Sequence, residues 1–433
     1  MGSEFLGESP GFPGLPPWAK NGRRSAAQNP WLAAVDRSFL APDGAFVLSP
    51  GRKSWALPYR KPKHDEAADE GRLAFLDSLI LRKLALMFRS RSSPSDSKLR
   101  QIWKATTPDH VIALAWAPDG NRLAVGSVSG PVAILDASTG KPVHQLSGHG
   151  FGTAAISWQP DGILLGTAGQ DGKVRLWDTT TGTARHALDG GATWVERLKW
   201  DASGTMLASG AGKKVRIWSA AGSLVRELPP QAGTVTDLGW QPGTNHLTVL
   251  GYGAANVFDP STGVIVQSFA WKGSPLKLAW SPDGKVLAHG NQDSTVHFWY
   301  AETGVDLQMS GYATKVRELG WDYSSRFLAT GGGPMVCLWD CGGPKGPEGT
   351  KPQMLEGHED NLTAIAFQRR GYLLASAGLD GRVLLWQPAN KKAPKIGQHP
   401  FEGTEASVIA WSPDDTSLAA GAGDGTVVLF RVG

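Results

Sequence analysis

Two sets of four residues have types and spacings that could do chemistry. His149, Thr167, Asp171 and Trp177 stand at separations of 18, 4 and 6 residues, and His358, Ser376, Asp380 and Trp386 repeat them at the same separations. A histidine, a hydroxyl and an aspartate are the parts of a hydrolase triad, in which the imidazole takes the hydroxyl proton and the carboxylate orients the imidazole. A nucleophile, however, needs one exposed hydroxyl beside an oxyanion site. A set that recurs, each time ending in a tryptophan whose indole N–H needs a partner, fits an internal hydrogen-bonded strut better. No catalytic residue is assigned. The chain has no Walker loop, HExxH, CxxC or nucleophile elbow, and Gly331-Gly332-Gly333 reads as a tight turn with no following helix to bind phosphate. Cys337 and Cys341 are too few for a disulfide framework and lack a second Cys/His pair at zinc-finger spacing. No cofactor and no metal are expected, and the chain reads as a non-enzyme.

The elements that must position these residues are short strands. An aromatic that closes the first strand of a unit recurs at Trp116, Trp158, Trp200, Trp240, Trp280, Trp321, Phe367 and Trp411, in steps of 42, 42, 40, 40, 41, 46 and 44 residues. Turn chemistry of the Pro-Asp-Gly kind often follows, as in WAPDG, WQPDG and WSPDG, where proline presets one dihedral and glycine accepts a positive one. A later strand closes each unit: AILD, RLWD, RIWS, NVFD, HFWY, CLWD, LLWQ and VLFR. With 55 glycines, 29 prolines, 18 tryptophans and only 19% charged residues in 433, the composition favours one all-β repeat body.

The unit from Gly148 to Thr183 opens with Gly148-His149, turns at Asp171-Gly172 and ends in Trp177-Asp178. It resembles a WD repeat, and the eight units extend the resemblance over residues 98–433. The resemblance implies a WD40 β-propeller. Eight blades are favoured, and seven would result if a weak unit such as the fourth is not a full blade. Outer strands such as KPVHQL and SLVREL follow seven triplets, but the eighth ends at Val432-Gly433. The segment 98–105 is therefore expected to supply the missing strand, join the chain ends and remove an exposed edge. Blades one, three, four, five, six and eight depart from the four-residue pattern; all but the fifth, with His289 at the hydroxyl position, are expected to rely on apolar packing.

Residues 1–97 form a separate extension, Pro-rich at first, with a helix predicted over 66–90 and a Ser-rich link, SRSSPSDS. Its nearly encircling apolar residues, among them Leu73, Leu76, Ile80 and Leu84, call for packing on the propeller, in a partner groove or at a membrane surface. Up to Thr106 the chain has 17 Lys+Arg against 10 Asp+Glu, and 26 against 29 beyond, a basic leader on a slightly acidic body. No apolar run is long enough to span a membrane and no signal pattern appears, so a soluble, cytoplasmic protein with a monomeric propeller is expected.

WD propellers are mostly interaction platforms, and the resemblance implies a non-catalytic protein-interaction scaffold. In such repeats the residues six and four before the first-strand aromatic, and the residue before the turn aspartate, tend to point onto one face. Here these rules select His110, Trp194, Glu196, Lys315, Arg317 and Asn361, together with Gln170, Gln292 and Leu379. The repeats are also similar to bacterial, especially cyanobacterial, WD proteins, which implies a metal-chaperone GTPase of the CobW class as a candidate partner. Two other readings stay open: an enzyme or small-ligand-binding propeller, marked by convergent polar residues in the channel, and a nucleic-acid or membrane adaptor working through the basic extension.

Overall fold

Short alternating segments punctuated by turn residues give antiparallel strands, and in the computed structural model every regular element among the described residues is a strand. Residues 54–56, 98–343 and 345–433 are described, all within the unit from Gly51 to Gly433. The helix expected over 66–90 lies outside them. Blade one consists of Val111–Trp116, Arg122–Ser127, Val132–Asp136 and Pro142–Leu146, each strand antiparallel to the next. The other blades repeat this order from inner strands Thr153–Trp158, Arg197–Trp200, Val235–Trp240, Pro275–Trp280, Leu319–Trp321, Leu362–Phe367 and Ala406–Trp411. Each inner strand packs against the inner strands of both neighbours, and the eighth packs against the first. The fold is an all-β propeller of eight blades.

The outer strand of blade eight is Leu99–Thr106, which pairs antiparallel with Thr426–Val432 from Leu99 opposite Val432 to Thr106 opposite Thr426. Blade five carries a fifth strand, Ser54–Ala56, parallel to its outer strand Asp306–Ser310.

The core lies between blades. Eight apolar clusters each span two neighbours; the one between blades one and two holds Ile134, Leu146, Trp158, Leu165 and Trp177. Each fully buried large side chain contributes about 1.5–3 kcal/mol. In six of the eight blades the recurring aromatic adds a directional tie to this apolar burial. Trp158 Nε1 donates to the Ala115 carbonyl at 2.8 Å, Trp240 to Lys199 at 3.1 Å and Trp411 to Ala366 at 3.0 Å, each reaching the preceding blade. Trp116 donates to Ala410 at 3.0 Å and so ties the first blade to the last.

Candidate interaction face

The loops that lead from an outer strand to the next inner strand, and the turns between second and third strands, meet at one end of the blades. Their backbones bond to each other: Val128 N–H donates to the His110 carbonyl at 3.0 Å, Gln170 to Gly152 at 2.9 Å, Gln292 to Ser274 at 3.0 Å and Leu379 to Asn361 at 2.9 Å. The nine residues selected from the sequence all fall on these loops, turns and the adjoining strand starts. Trp194, Gln292, Arg317 and Leu379 are exposed, while His110, Gln170, Glu196, Lys315 and Asn361 are half-buried. His110 Nδ1 lies 3.5 Å from Glu405 Oε1. Trp194 is 46% exposed in the loop entering blade three.

Sequence reasoning missed two further aromatics at this end. Phe151, in the loop entering blade two, is 87% exposed, and Tyr252, in the second turn of blade four, is 61% exposed. Phe151 also holds a positive φ of 66°, a strained conformation for a bulky side chain. Its signal in the sequence was an aromatic inside a Gly-His-Gly-Phe-Gly loop. With Trp194 these rings give blades two, three and four exposed apolar surface of the kind that marks interaction sites. Lys173, Lys214 and Arg216 line the cleft between blades two and three, which also holds Phe151 and Gln170.

Beneath this face the two four-residue sets each form one chain of hydrogen bonds. Trp177 Nε1 donates to Thr167 Oγ1 at 2.9 Å, Thr167 Oγ1 lies 2.8 Å from His149 Nε2, and His149 Nδ1 lies 2.8 Å from Asp171 Oδ1. In blade seven the corresponding distances are 2.8 Å from Trp386 to Ser376, 2.8 Å from Ser376 to His358 and 3.0 Å from His358 to Asp380. One assignment of protons satisfies every member: the indole donates to the hydroxyl, the hydroxyl to Nε2, and Nδ1–H to the carboxylate. Burial holds both imidazoles below the usual histidine pKa against the pull of their aspartates, which keeps them neutral. Burial raises each aspartate, but the hydrogen bonds it accepts prevail, from His149 and Arg175 for Asp171 and from His358 and Glu359 N–H for Asp380, so both carboxyls lie low. Thr167 and Ser376 are fully buried, so no substrate reaches them.

Repeated strands, a repeated tetrad and one loop-bearing end point to one kind of unit, and comparison with known families agrees. The model described as "WD domain, G-beta repeat" matches residues 140–178, 182–219, 264–300, 349–387 and 398–431, and the "Anaphase-promoting complex subunit 4 WD40 domain" model matches 91–151. Five stretches of the chain match WD repeats. Among curated proteins, it is 34% identical to the probable cytosolic iron-sulfur protein assembly protein 1 of Mycosarcoma maydis, over 26% of this chain and 21% of that protein. It is 27% identical to the Arabidopsis thaliana protein cell division cycle 20.1, cofactor of APC complex, over 43% of this chain and 45% of that one. It thus spans less than half the length of these two relatives. The crystal structure of the computationally designed Ika8 protein matches 77% of this chain and all of that one, at TM-score 0.66 and 22% identity, a likeness in fold.

Blades three, five and six, which lack the full tetrad, still satisfy a third-strand indole, and for blades three and six this corrects the expectation of apolar packing alone. In blade three Trp218 Nε1 donates to Ser209 Oγ at 2.9 Å. In blade five Trp299 Nε1 donates to His289 Nε2 at 3.1 Å, and His289 Nδ1 lies 2.9 Å from Asn291 Oδ1. In blade six Tyr312 takes the histidine's place. Its hydroxyl accepts the Trp339 indole N–H at 3.2 Å and lies 2.8 Å from Thr330 Oγ1. A buried indole N–H seeks an acceptor, and in these blades a serine, a histidine or a tyrosine supplies it, although Trp200 Nε1 of blade three stays buried without one.

A cleft of about 410 Å³ opens at the opposite end, between blades six and seven, lined by Arg326, Phe327, Asp340 and Tyr372 among others. Arg326 and Asp340 are spent on each other through two bonds of 2.9 and 2.8 Å. Among the described residues no group of His, Cys, Asp and Glu is placed to hold a metal, and no helix is long and apolar enough to cross a membrane. Cys337 and Cys341 are free thiols, and burial pushes both above the usual thiol range.

Proposed function

We propose that this chain is a non-catalytic scaffold that binds protein partners through the loop-bearing face of its propeller. The exposed rings of Phe151, Trp194 and Tyr252 at one end of three successive blades carry this reading, because aromatic and arginine side chains dominate interface energetics. The WD-repeat relative named as a cofactor of the APC complex supports it. We place the protein in the cytoplasm as a monomeric propeller. A metal-chaperone GTPase of the CobW class, raised by the resemblance to bacterial WD proteins, is one partner to test.

A pull-down from the native cell, read by mass spectrometry, identifies the partner. The double variant Trp194→Ala, Arg317→Ala is then expected to weaken that partner's binding by about 2 kcal/mol or more with an unchanged melting temperature. Undiminished binding by the folded double variant moves the site to another face or to the N-terminal extension.

A further inference from the structure

Residues 57–97, which lie outside the described ones, connect two fixed points of the propeller. At one end Ser54–Ala56 pairs with the outer strand of blade five. At the other, Lys98 is held at the seam of blades seven and eight: its N–H donates to the Ile396 carbonyl at 3.2 Å, and its carbonyl accepts the Gly433 N–H at 3.1 Å. By the short way round the ring, blades six and seven lie between these points.

The cleft of about 410 Å³ opens between those two blades. Phe327, Leu338 and Pro352 of blade six and Phe367, Tyr372 and Pro388 of blade seven give it mostly apolar walls. Its charged groups do not call for a charged ligand. Arg326 and Asp340 hold each other, and the buried Asp322 accepts the N–H groups of Arg326 and Phe327 at 2.8 and 2.6 Å. Lys351 and Lys391 are exposed, and lysine keeps its ammonium in water while its stem covers apolar surface. The loop that carries Pro388, Ala389 and Lys391 leads into Lys395–Pro400, the strand whose Ile396 holds Lys98. The chain thus enters the last blade beside one wall of the cleft.

The connecting chain has one strongly apolar stretch. Of residues 73–88 twelve are apolar, and only Asp77, Arg82 and Lys83 are charged. The helix expected there is apolar nearly all round and needs a surface to bury itself against. With two basic residues against one acid the stretch is nearly neutral, so apolar burial and not charge decides where it rests. The link 89–97 spans at most about 30 Å when fully extended, which ties the stretch to the neighbourhood of the seam.

We propose that residues 73–88 dock on the cleft between blades six and seven, placing apolar side chains of one helix face into it. The site lies at the end opposite the loop-bearing face and does not depend on the scaffold reading.

Photocrosslinking of the full chain tests it. A benzophenone amino acid is placed at Tyr372 in one variant, at Lys351 in a second and, as a control at the opposite end, at Tyr252 in a third, each shown to be folded by its melting curve. Irradiation is expected to join the probes at Tyr372 and Lys351, within one chain, to the tryptic peptides Leu73–Arg82 or Leu84–Arg89, and to give no such product from Tyr252. Adding Leu76→Asp and Ile80→Asp is expected to cut the yield about fivefold or more, because the cleft offers no partner for a buried carboxylate. Equal yields from both ends, products that join two chains, products mapped only elsewhere, no product, or a yield that the two aspartates leave unchanged overturns the proposal.

Discussion

Ser376 Oγ sits between an indole N–H and an imidazole nitrogen with no exposed surface, so His358 and Asp380 act on stability before anything else. Replacing either with alanine leaves buried partners unsatisfied. The expected cost is about 1–3 kcal/mol in denaturant unfolding, with partner binding intact in protein that stays folded. Loss of a hydrolytic activity at unchanged stability would instead mark a triad. His289 gives a second expectation. Burial drives its pKa from the ordinary 6.5 to about 4, opposed by Asn291, so between these values the unfolded chain binds more protons than the folded one. Its contribution is present above pH 6.5 and is lost as pH falls toward about 4, at a slope of up to about 1.4 kcal/mol per pH unit. His289→Thr, which restores the hydroxyl found in blade two, is expected to flatten the pH dependence of unfolding free energy across that window. An unchanged slope assigns the acid sensitivity to other buried groups, among them His149 and His358. The His149 and His358 sets were legible because four chemical types repeat at fixed spacing. Tyr312 was not, although it precedes Thr330 by the same 18 residues that separate His149 from Thr167, because a phenol is not recognised as a stand-in for imidazole.

At the scale of elements, strands and turns were legible from the period of the aromatics and from turn residues, since both reflect local backbone preference. Gly284, in a WSPDG turn, holds φ at 70°, where a Cβ would meet the Pro242 carbonyl oxygen at 2.3 Å. Blade eight has WSPDD instead, and Asp415 adopts φ of 59° without glycine's freedom. Its carboxylate compensates by accepting the backbone N–H groups of Arg369 and Arg370, at 2.6 and 2.7 Å, from the turn of blade seven. An aspartate where glycine is expected therefore marks a contact between blades, and that meaning depends on a turn 45 residues away. The same holds for the ties from Trp116, Trp158 and Trp411: the donor is visible in the sequence, but the acceptor is a carbonyl whose position only the assembled ring defines.

At the scale of the whole molecule, the ring is held by eight similar interfaces, and one of them joins the ends of the described propeller chain. Leu99–Thr106 covers the edge of Thr426–Val432 along its length. Leu99 packs into the cluster between blades seven and eight, and Trp103 into the one between blades eight and one. Trp103 Nε1 further donates to the Ala137 carbonyl of blade one at 2.8 Å. Removing residues 1–106 therefore does more than shorten the chain: it uncovers a strand edge rich in Val and Leu and takes one wall from two core clusters. An uncovered apolar edge is a template for pairing with another copy. The fragment 107–433 is expected to aggregate in size-exclusion chromatography and to melt lower than the full chain. Removing residues 1–60 takes from the described structure only Ser54–Ala56, a three-residue strand added outside a complete four-stranded blade, and is expected to leave the melting temperature nearly unchanged. A soluble, monomeric 107–433 fragment with full-length melting behaviour would show that the six untouched interfaces suffice and that Leu99–Thr106 is dispensable to the ring.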